Sequence, residues 1–220
     1  MIKKLIIVAL IAGAALAGYF VYQNRVNKQQ LAGSNQGTVF TNVATRTTTQ
    51  DGPVRKFSIT AKSLIKWTGY KKVGRHSGWF IIFDGTGTMP GTNIEQATID
   101  LAIETDSCET DNAILTGIMK DNRFFDCAKF PTSTFKSVSI AKAQAPDTYT
   151  VTGNLTLRDV TKTIQFPAKI TVEGGVVKLD ADFKVNRRWW GIVYESVGDS
   201  FLEDDVRLEL KAEAKEAKAS

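Results

Sequence analysis

Histidine occurs once in these 220 residues and cysteine twice, and that scarcity removes several chemistries at the outset. A single histidine, His76, with no second histidine or thiolate nearby makes a poor metal site. In Gly74-Arg75-His76-Ser77-Gly78 it reads as a turn or strand-start residue making local hydrogen bonds. Cys108 and Cys127 form neither CxxC nor CxxCH, which excludes a thioredoxin-type motif and a haem attachment site. A Walker loop, a dinucleotide GxGxxG and a Gly-x-Ser-x-Gly elbow are all missing. Glu203-Asp204-Asp205 lacks the spaced carboxylates and glycine of a calcium loop and reads as a solvated strand start. No catalytic residue, metal ligand or cofactor is assigned, and the reading is non-catalytic.

Concentrated charge is missing as well. The formal net charge is +5, but acidic and basic residues nearly balance between Pro53 and Ala212. The excess sits in the termini, so the body offers no concentrated basic face, and nucleic acid is excluded as a partner. Lys71, Lys72 and Arg75 make only a small cluster, read as a solvated hairpin.

One long apolar run is present. Lys3 and Lys4 precede an uncharged stretch from Leu5 to Tyr22. As a helix rising ~1.5 Å per residue it spans about 27 Å, close to a bilayer core. Residues 1–22 therefore read as a signal anchor, or as a cleaved signal peptide with Ala15-Leu16-Ala17 at its cleavage site. Tyr19 stands where a lipoprotein signal would need cysteine. The two lysines favour a cytoplasmic N-terminus and an exported body. The expected location is the cell envelope on the periplasmic side, anchored in the inner membrane by this helix, or the free periplasm after cleavage. Residues 23–52, rich in Gln, Asn, Thr, Gly and Ser, read as a flexible linker, 53–212 as the folded body and 213–220 as a charged tail. The sequence assigns no oligomeric state.

Period-two alternation dominates the body. Ile99, Leu101 and Ile103 interleave with Thr98, Asp100 and Glu104. Val177, Leu179, Ala181, Phe183 and Val185 interleave with Lys178, Asp180, Asp182 and Lys184. Such strands have one dry and one wet face and need a shared interior. Strands are expected near 54–60, 63–70, 78–88, 97–105, 134–142, 148–157, 162–173, 176–186 and 204–212. Gly174-Gly175 gives a strong hairpin signal. The expected fold is an all-β, antiparallel up-and-down barrel of about eight strands with one short helix. In Trp79-Phe80-Ile81-Ile82-Phe83 both strand faces are apolar, which calls for a cover or marks a surface patch.

Asp111 to Asp126 breaks the pattern. Ile114, Leu115, Ile118 and Met119 recur at helical spacing behind Thr110 or Asp111 as N-cap. This helix, with Phe124 and Phe125, either plugs one barrel end or forms a lid over an entrance. Cys108 and Cys127 flank it; in an oxidising compartment they form a disulfide, and otherwise they are two free buried thiols. The alternation turns Trp67, Ile99, Leu101, Phe135, Leu155, Phe166 and Phe183 toward the interior, which is either filled by side chains or holds one small ligand.

Four ordered motifs carry a resemblance. They are Ser63-Leu64-Ile65-Lys66-Trp67-Thr68-Gly69 with His76-Ser77-Gly78, and Phe124-Phe125-Asp126 with Phe130-Pro131-Thr132 and Thr134-Phe135. The others are Thr152-Gly153-Asn154-Leu155-Thr156-Leu157-Arg158-Asp159-Val160-Thr161-Lys162 and Asn186-Arg187-Arg188-Trp189-Trp190-Gly191-Ile192-Val193-Tyr194. Over residues 57–212 the chain resembles the YceI-like family of lipocalin-like periplasmic proteins. It departs from the family pattern at Asp159, where glycine is usual, and at Cys108 and Cys127. The resemblance implies an elongated apolar cavity that holds a polyisoprenoid or isoprenoid quinone against the seven inward residues named above. Arg187 is then expected either to meet a headgroup at the rim or to form a structural ion pair. The rival expectation is a filled barrel serving as a scaffold or interaction module of the envelope.

Overall fold

The computed structural model describes residues 35–36, 38–40, 52–194 and 202–217. The expected anchor or signal over 1–22 lies outside them. Among the described residues no helix is long and apolar enough to cross a membrane.

Thirteen strands and one α-helix make up the described chain. They are β1 (Asn35–Gln36), β2 (Thr38–Phe40), β3 (Val54–Ile59), β4 (Leu64–Tyr70), β5 (Arg75–Phe80), β6 (Phe83–Pro90), β7 (Thr98–Glu104) and β8 (Cys108–Thr110). Helix α1 (Ala113–Lys120) follows, then β9 (Thr132–Lys142), β10 (Thr148–Leu157), β11 (Val160–Glu173), β12 (Val176–Asn186) and β13 (Asp205–Glu216).

Several short strands are arms of longer bent ones. β4 pairs with β5 while β3 pairs with β6, so 54–70 and 75–90 run antiparallel as two bent strands. β7 and β8 are likewise separated only by the 3-10 turn Thr105–Ser107, and they pair with β6 and β5 respectively. The meander continues through β9, β10, β11, β12 and β13, and β13 returns to both β3 and β4. With each bent strand counted once, eight antiparallel strands close into a barrel. Closure leaves no long free edge, which removes the usual aggregation hazard of a sheet.

Local chemistry sets the turns. Gly174 and Gly175 both have positive φ (55° and 76°), as a two-residue hairpin of right-handed twist requires. The β10–β11 hairpin uses the same geometry with side chains present: Arg158 at φ 52° and Asp159 at 57°. At Gly153 a bulge shifts the β9–β10 register, and the Phe135 ring lies where a Cβ would stand, 2.3 Å away. Gly153 thus lets Phe135 cross over β10 and reach Phe166, ring centroids 5.8 Å apart. Phe166 stacks on Phe183 at 4.2 Å and 4°.

Five expectations need correction. The strand expected over 78–88 breaks at Ile81 and Ile82, which stand 62% and 51% exposed on a bend; that exposure is how a two-faced apolar run is accommodated in a barrel with a wet exterior. The linker expected over 23–52 contains β1 and β2, which pair with β12 and β11. β11 and β12 pair with each other only from Ala168–Ala181 to their hairpin, and the segment takes the edges left beyond. Strands of two and three residues are too short to show an alternation in the sequence. The charged tail expected from 213 begins inside β13, where Ala212 and Ala214 alternate with charged neighbours and Glu216 pairs with Arg55 at 2.7 Å.

The helix N-cap is Asn112, not Thr110 or Asp111; its side chain accepts from the Leu115 N–H at 3.0 Å. Last, Cys108 and Cys127 are free thiols and the expected disulfide is not formed. Both pack as small apolar side chains with Trp67, Met119 and Phe125. The Cys108 thiol lies 3.9 Å from the Glu109 carbonyl, whereas the Cys127 thiol turns toward Thr105. Burial raises both, Cys108 to about 11.

Helix α1 sits where the barrel lacks a strand pair. β9 pairs with β7 only as far as Glu104–Thr132, so β8 has β5 on one side and no strand on the other. Met119, Phe125 and Cys127, from α1 and the turns after it, cover that side against Trp67 and Cys108.

Candidate functional site

The barrel is not filled. A cavity of about 630 Å³ occupies its interior, within the size range of small-molecule sites. Its wall follows from the strand registers. Leu101 on β7, Phe135 on β9 and Leu155 on β10 are directly opposite one another and form one inward row. Phe183 on β12, Leu208 on β13 and Trp67 on β4 form another, which ends at Gly78 on β5. The Trp67 ring lies over Gly78, 2.4 Å from where a Cβ would stand, so this glycine is required for the indole to lie flat on the wall.

All seven residues turned inward by the alternation border the cavity: Trp67, Ile99, Leu101, Phe135, Leu155, Phe166 and Phe183. Leu208 and Leu210 border it too, and they alternate with Arg207, Glu209 and Lys211 in the same period of two. Met89, Trp190 and Ile192 also line it; they lie at strand ends or in the turn after β12, where alternation stops.

The lid residues divide. Ile118, Phe124 and Phe125 face the cavity, with Leu115 and Met119 beside them. Ile114 does not: it is 78% exposed on the outer face of α1. With the helix starting at Ala113, the inward stripe runs through 115, 118 and 119, which turns 114 to solvent. Phe124 continues this cover by stacking on Tyr194, centroids 5.4 Å apart.

Polar groups collect at the end near the β4–β5 hairpin, where Lys71, His76 and Arg187 border the cavity. Arg187 is 4% exposed and is held within the protein: Nη1 donates to the Ile192 carbonyl at 2.6 Å, Nε to the Glu203 carbonyl at 3.3 Å and Nη2 to Asp204 Oδ1 at 3.1 Å. Asp204 also accepts from Arg188 Nε at 2.6 Å, so this carboxylate of the acidic run bridges two arginines.

His76 pairs with Gly69 across the β4–β5 hairpin, which puts it on the inward face with Gly78 and Phe80. Its Nδ1 lies 2.8 Å from Asp111 Oδ1, and Asp111 Oδ2 accepts the Ser77 N–H at 2.9 Å. Burial pushes the Asp111 carboxyl up, but the Ser77 amide and His76 outweigh it and hold it below the ordinary aspartate value. Ser77 is no nucleophile for this dyad. It lies on the opposite strand face, its hydroxyl 2.9 Å from Thr68 Oγ1. Among the described residues no group of three or more His, Cys, Asp and Glu side chains is arranged to hold a metal ion.

The fold and cavity define a class: closed up-and-down antiparallel barrels built around an apolar, ligand-sized interior. The YceI-like domain family matches residues 39–214, and the chain belongs to that family. Protein YceI of Salmonella arizonae and of Salmonella newport are each 37% identical over 97 residues, covering 44% of this chain and 50% of theirs. The chain thus matches about half the length of these curated relatives. Among solved structures, Burkholderia cenocepacia BcnA superposes with a TM-score of 0.65 at 21% identity, covering 70% of this chain and 98% of that one. A polyisoprenoid binding domain from Saccharophagus degradans superposes at 0.58 and 13% identity, covering 73% and 98%. At these identities the likeness is one of fold.

Proposed function

We propose that this protein is a non-catalytic binding protein of the cell envelope that holds an isoprenoid-like lipid, a polyisoprenoid or an isoprenoid quinone, in its barrel. The observation that carries the reading is the open, almost wholly apolar cavity of about 630 Å³. Each methylene moved from water into such a space contributes about 0.8 kcal/mol, so a branched hydrocarbon tail needs no charged contact to bind. The aromatic rows supply shape. Family membership and the fold shared with a polyisoprenoid binding domain support the same ligand class. The apolar run from Leu5 to Tyr22 behind Lys3 and Lys4 supports export and a tether to the inner membrane, beside the bilayer that stores such lipids. A periplasmic form released by cleavage would bind the same ligand. A filled scaffold barrel is the weaker reading, because the interior is open.

The test is extraction of the purified full chain with organic solvent and mass spectrometry of the extract. About one isoprenoid per chain is expected, in excess over a Leu101→Trp variant prepared identically. An extract with no isoprenoid above that background, even after exposure to membranes, overturns the reading.

A further inference from the structure

His76 and Asp111 are not explained by apolar binding. They join β5 to the turn before α1 at the end of the cavity that Lys71 and Arg187 also border. We infer that His76 is the headgroup-recognition residue of the cavity, accepting a hydrogen bond through Nε2 from a ligand that carries an O–H group: an alcohol, a phenol or a hydroquinone at the end of an apolar tail. The inference rests on the lipid-binding reading and specifies which end of the ligand goes where.

Three observations carry it. First, strand parity and the cavity wall put the imidazole on the inner face, opposite Gly69, which has no side chain to fill the mouth. Second, an ionised carboxylate only accepts, so in the neutral imidazole the proton facing Asp111 resides on Nδ1 and Nε2 carries the lone pair. Third, Asp111 is itself fixed by the Ser77 amide, so the ring orientation is set by backbone rather than by a mobile side chain. A tail lying along the Phe135–Phe166–Phe183 rings leaves its headgroup at this mouth, under Phe124 and Tyr194. A carbonyl or ether oxygen offers nothing to this lone pair; a hydroxyl does.

The probes are geranylgeraniol and its methyl ether, equal in tail but differing in the O–H. Wild-type full chain is expected to bind the alcohol about three- to tenfold more tightly, the worth of one neutral hydrogen bond. His76→Phe should erase the preference by weakening the alcohol alone, and His76→Gln, which restores an acceptor, should recover part of it. Because His76 is the chain's one histidine, its imidazole nitrogens are assignable by ¹⁵N NMR without any substitution. Nδ1 is expected as the protonated nitrogen, and Nε2 should shift on adding the alcohol but not the ether. Equal wild-type affinity for both probes, or an unmoved Nε2 resonance at saturation, overturns the inference and leaves lipid binding standing. Failure of both probes to bind overturns the inference and the lipid-binding reading together.

Discussion

Strands β9 to β13 and strands β3 to β8 enclose the same cavity by different means. The first set is a wall. Its strands run 10 to 14 residues, and tight hairpins at Arg158–Asp159 and Gly174–Gly175 join β10 to β11 and β11 to β12. It supplies most of the larger buried cluster, with Phe135, Phe166, Phe183 and Trp190. The second set is a gate. Its strands run 3 to 8 residues and bend at Ile81–Ile82 and Thr105–Ser107. Beyond β8 a helix of 8 residues takes the place of a strand pair, over a smaller cluster that includes both cysteines. Long paired strands over a large cluster resist local opening, whereas short elements over a small one open at lower free energy. In the proposed binding function, the wall fixes the shape of the ligand and the gate sets its admission.

The contrast can be broken from either side. Trp190 is 2% exposed and donates through Nε1 to the Leu155 carbonyl at 3.2 Å. Trp190→Ala is expected to lower global stability by about 3–5 kcal/mol in urea unfolding, the largest effect here. Asn112→Ala removes the cap of α1 and should cost about 1 kcal/mol, confined to the gate. Hydrogen exchange would show faster amides in α1 with the wall unchanged; equal acceleration in β10 and β11 would mean the two regions open as one.

Asp159→Gly acts on the wall in the other direction. Asp159 is held at φ 57°, a region glycine enters without strain, so this change should stabilise by about 0.5–1 kcal/mol in thermal unfolding.

Acid should loosen the gate at α1. Arg123 holds the Asp121 carboxyl below its ordinary value, and Asp111 on the other flank of α1 is also lowered. A carboxylate lowered in the folded state gives its full contribution above the unfolded value of about 3.9, and loses it as pH falls through the lower folded value. Amide protection in α1 should hold at pH 5 and fall below about pH 3.9, by a small amount because both groups meet solvent.

The wall, together with β7 of the gate, was the legible part of the sequence. Alternation over β7 and β9 to β12 was enough to turn Ile99, Leu101, Phe135, Leu155, Phe166 and Phe183 inward, because a closed barrel gives period two a single meaning. The gate was less legible, since its geometry depends on contacts distant in sequence. The Ile81–Ile82 bend answers to Ser107, whose carbonyl and hydroxyl accept the Ile81 and Ile82 amides at 3.2 and 3.0 Å. In α1 the face turned to the cavity carries Leu115, Ile118 and Met119, which leaves Ile114 to solvent. Cysteine spacing alone suggested a bridge, but thiol direction, set by β8 and the turn after α1, decides pairing. His76 read as a local hydrogen-bonding residue; its partner Asp111 is 35 residues away and shares no motif with it.

Titration calorimetry of the full chain with geranylgeraniol shows whether an apolar ligand occupies the barrel interior. Leu101 on β7 borders the cavity, so Leu101→Trp takes up space that the ligand would occupy. One bound molecule per wild-type chain is expected, with at least about tenfold weaker binding to Leu101→Trp and a retained unfolding midpoint. Equal binding by both proteins would contradict it, because the ligand would then lie somewhere other than the cavity.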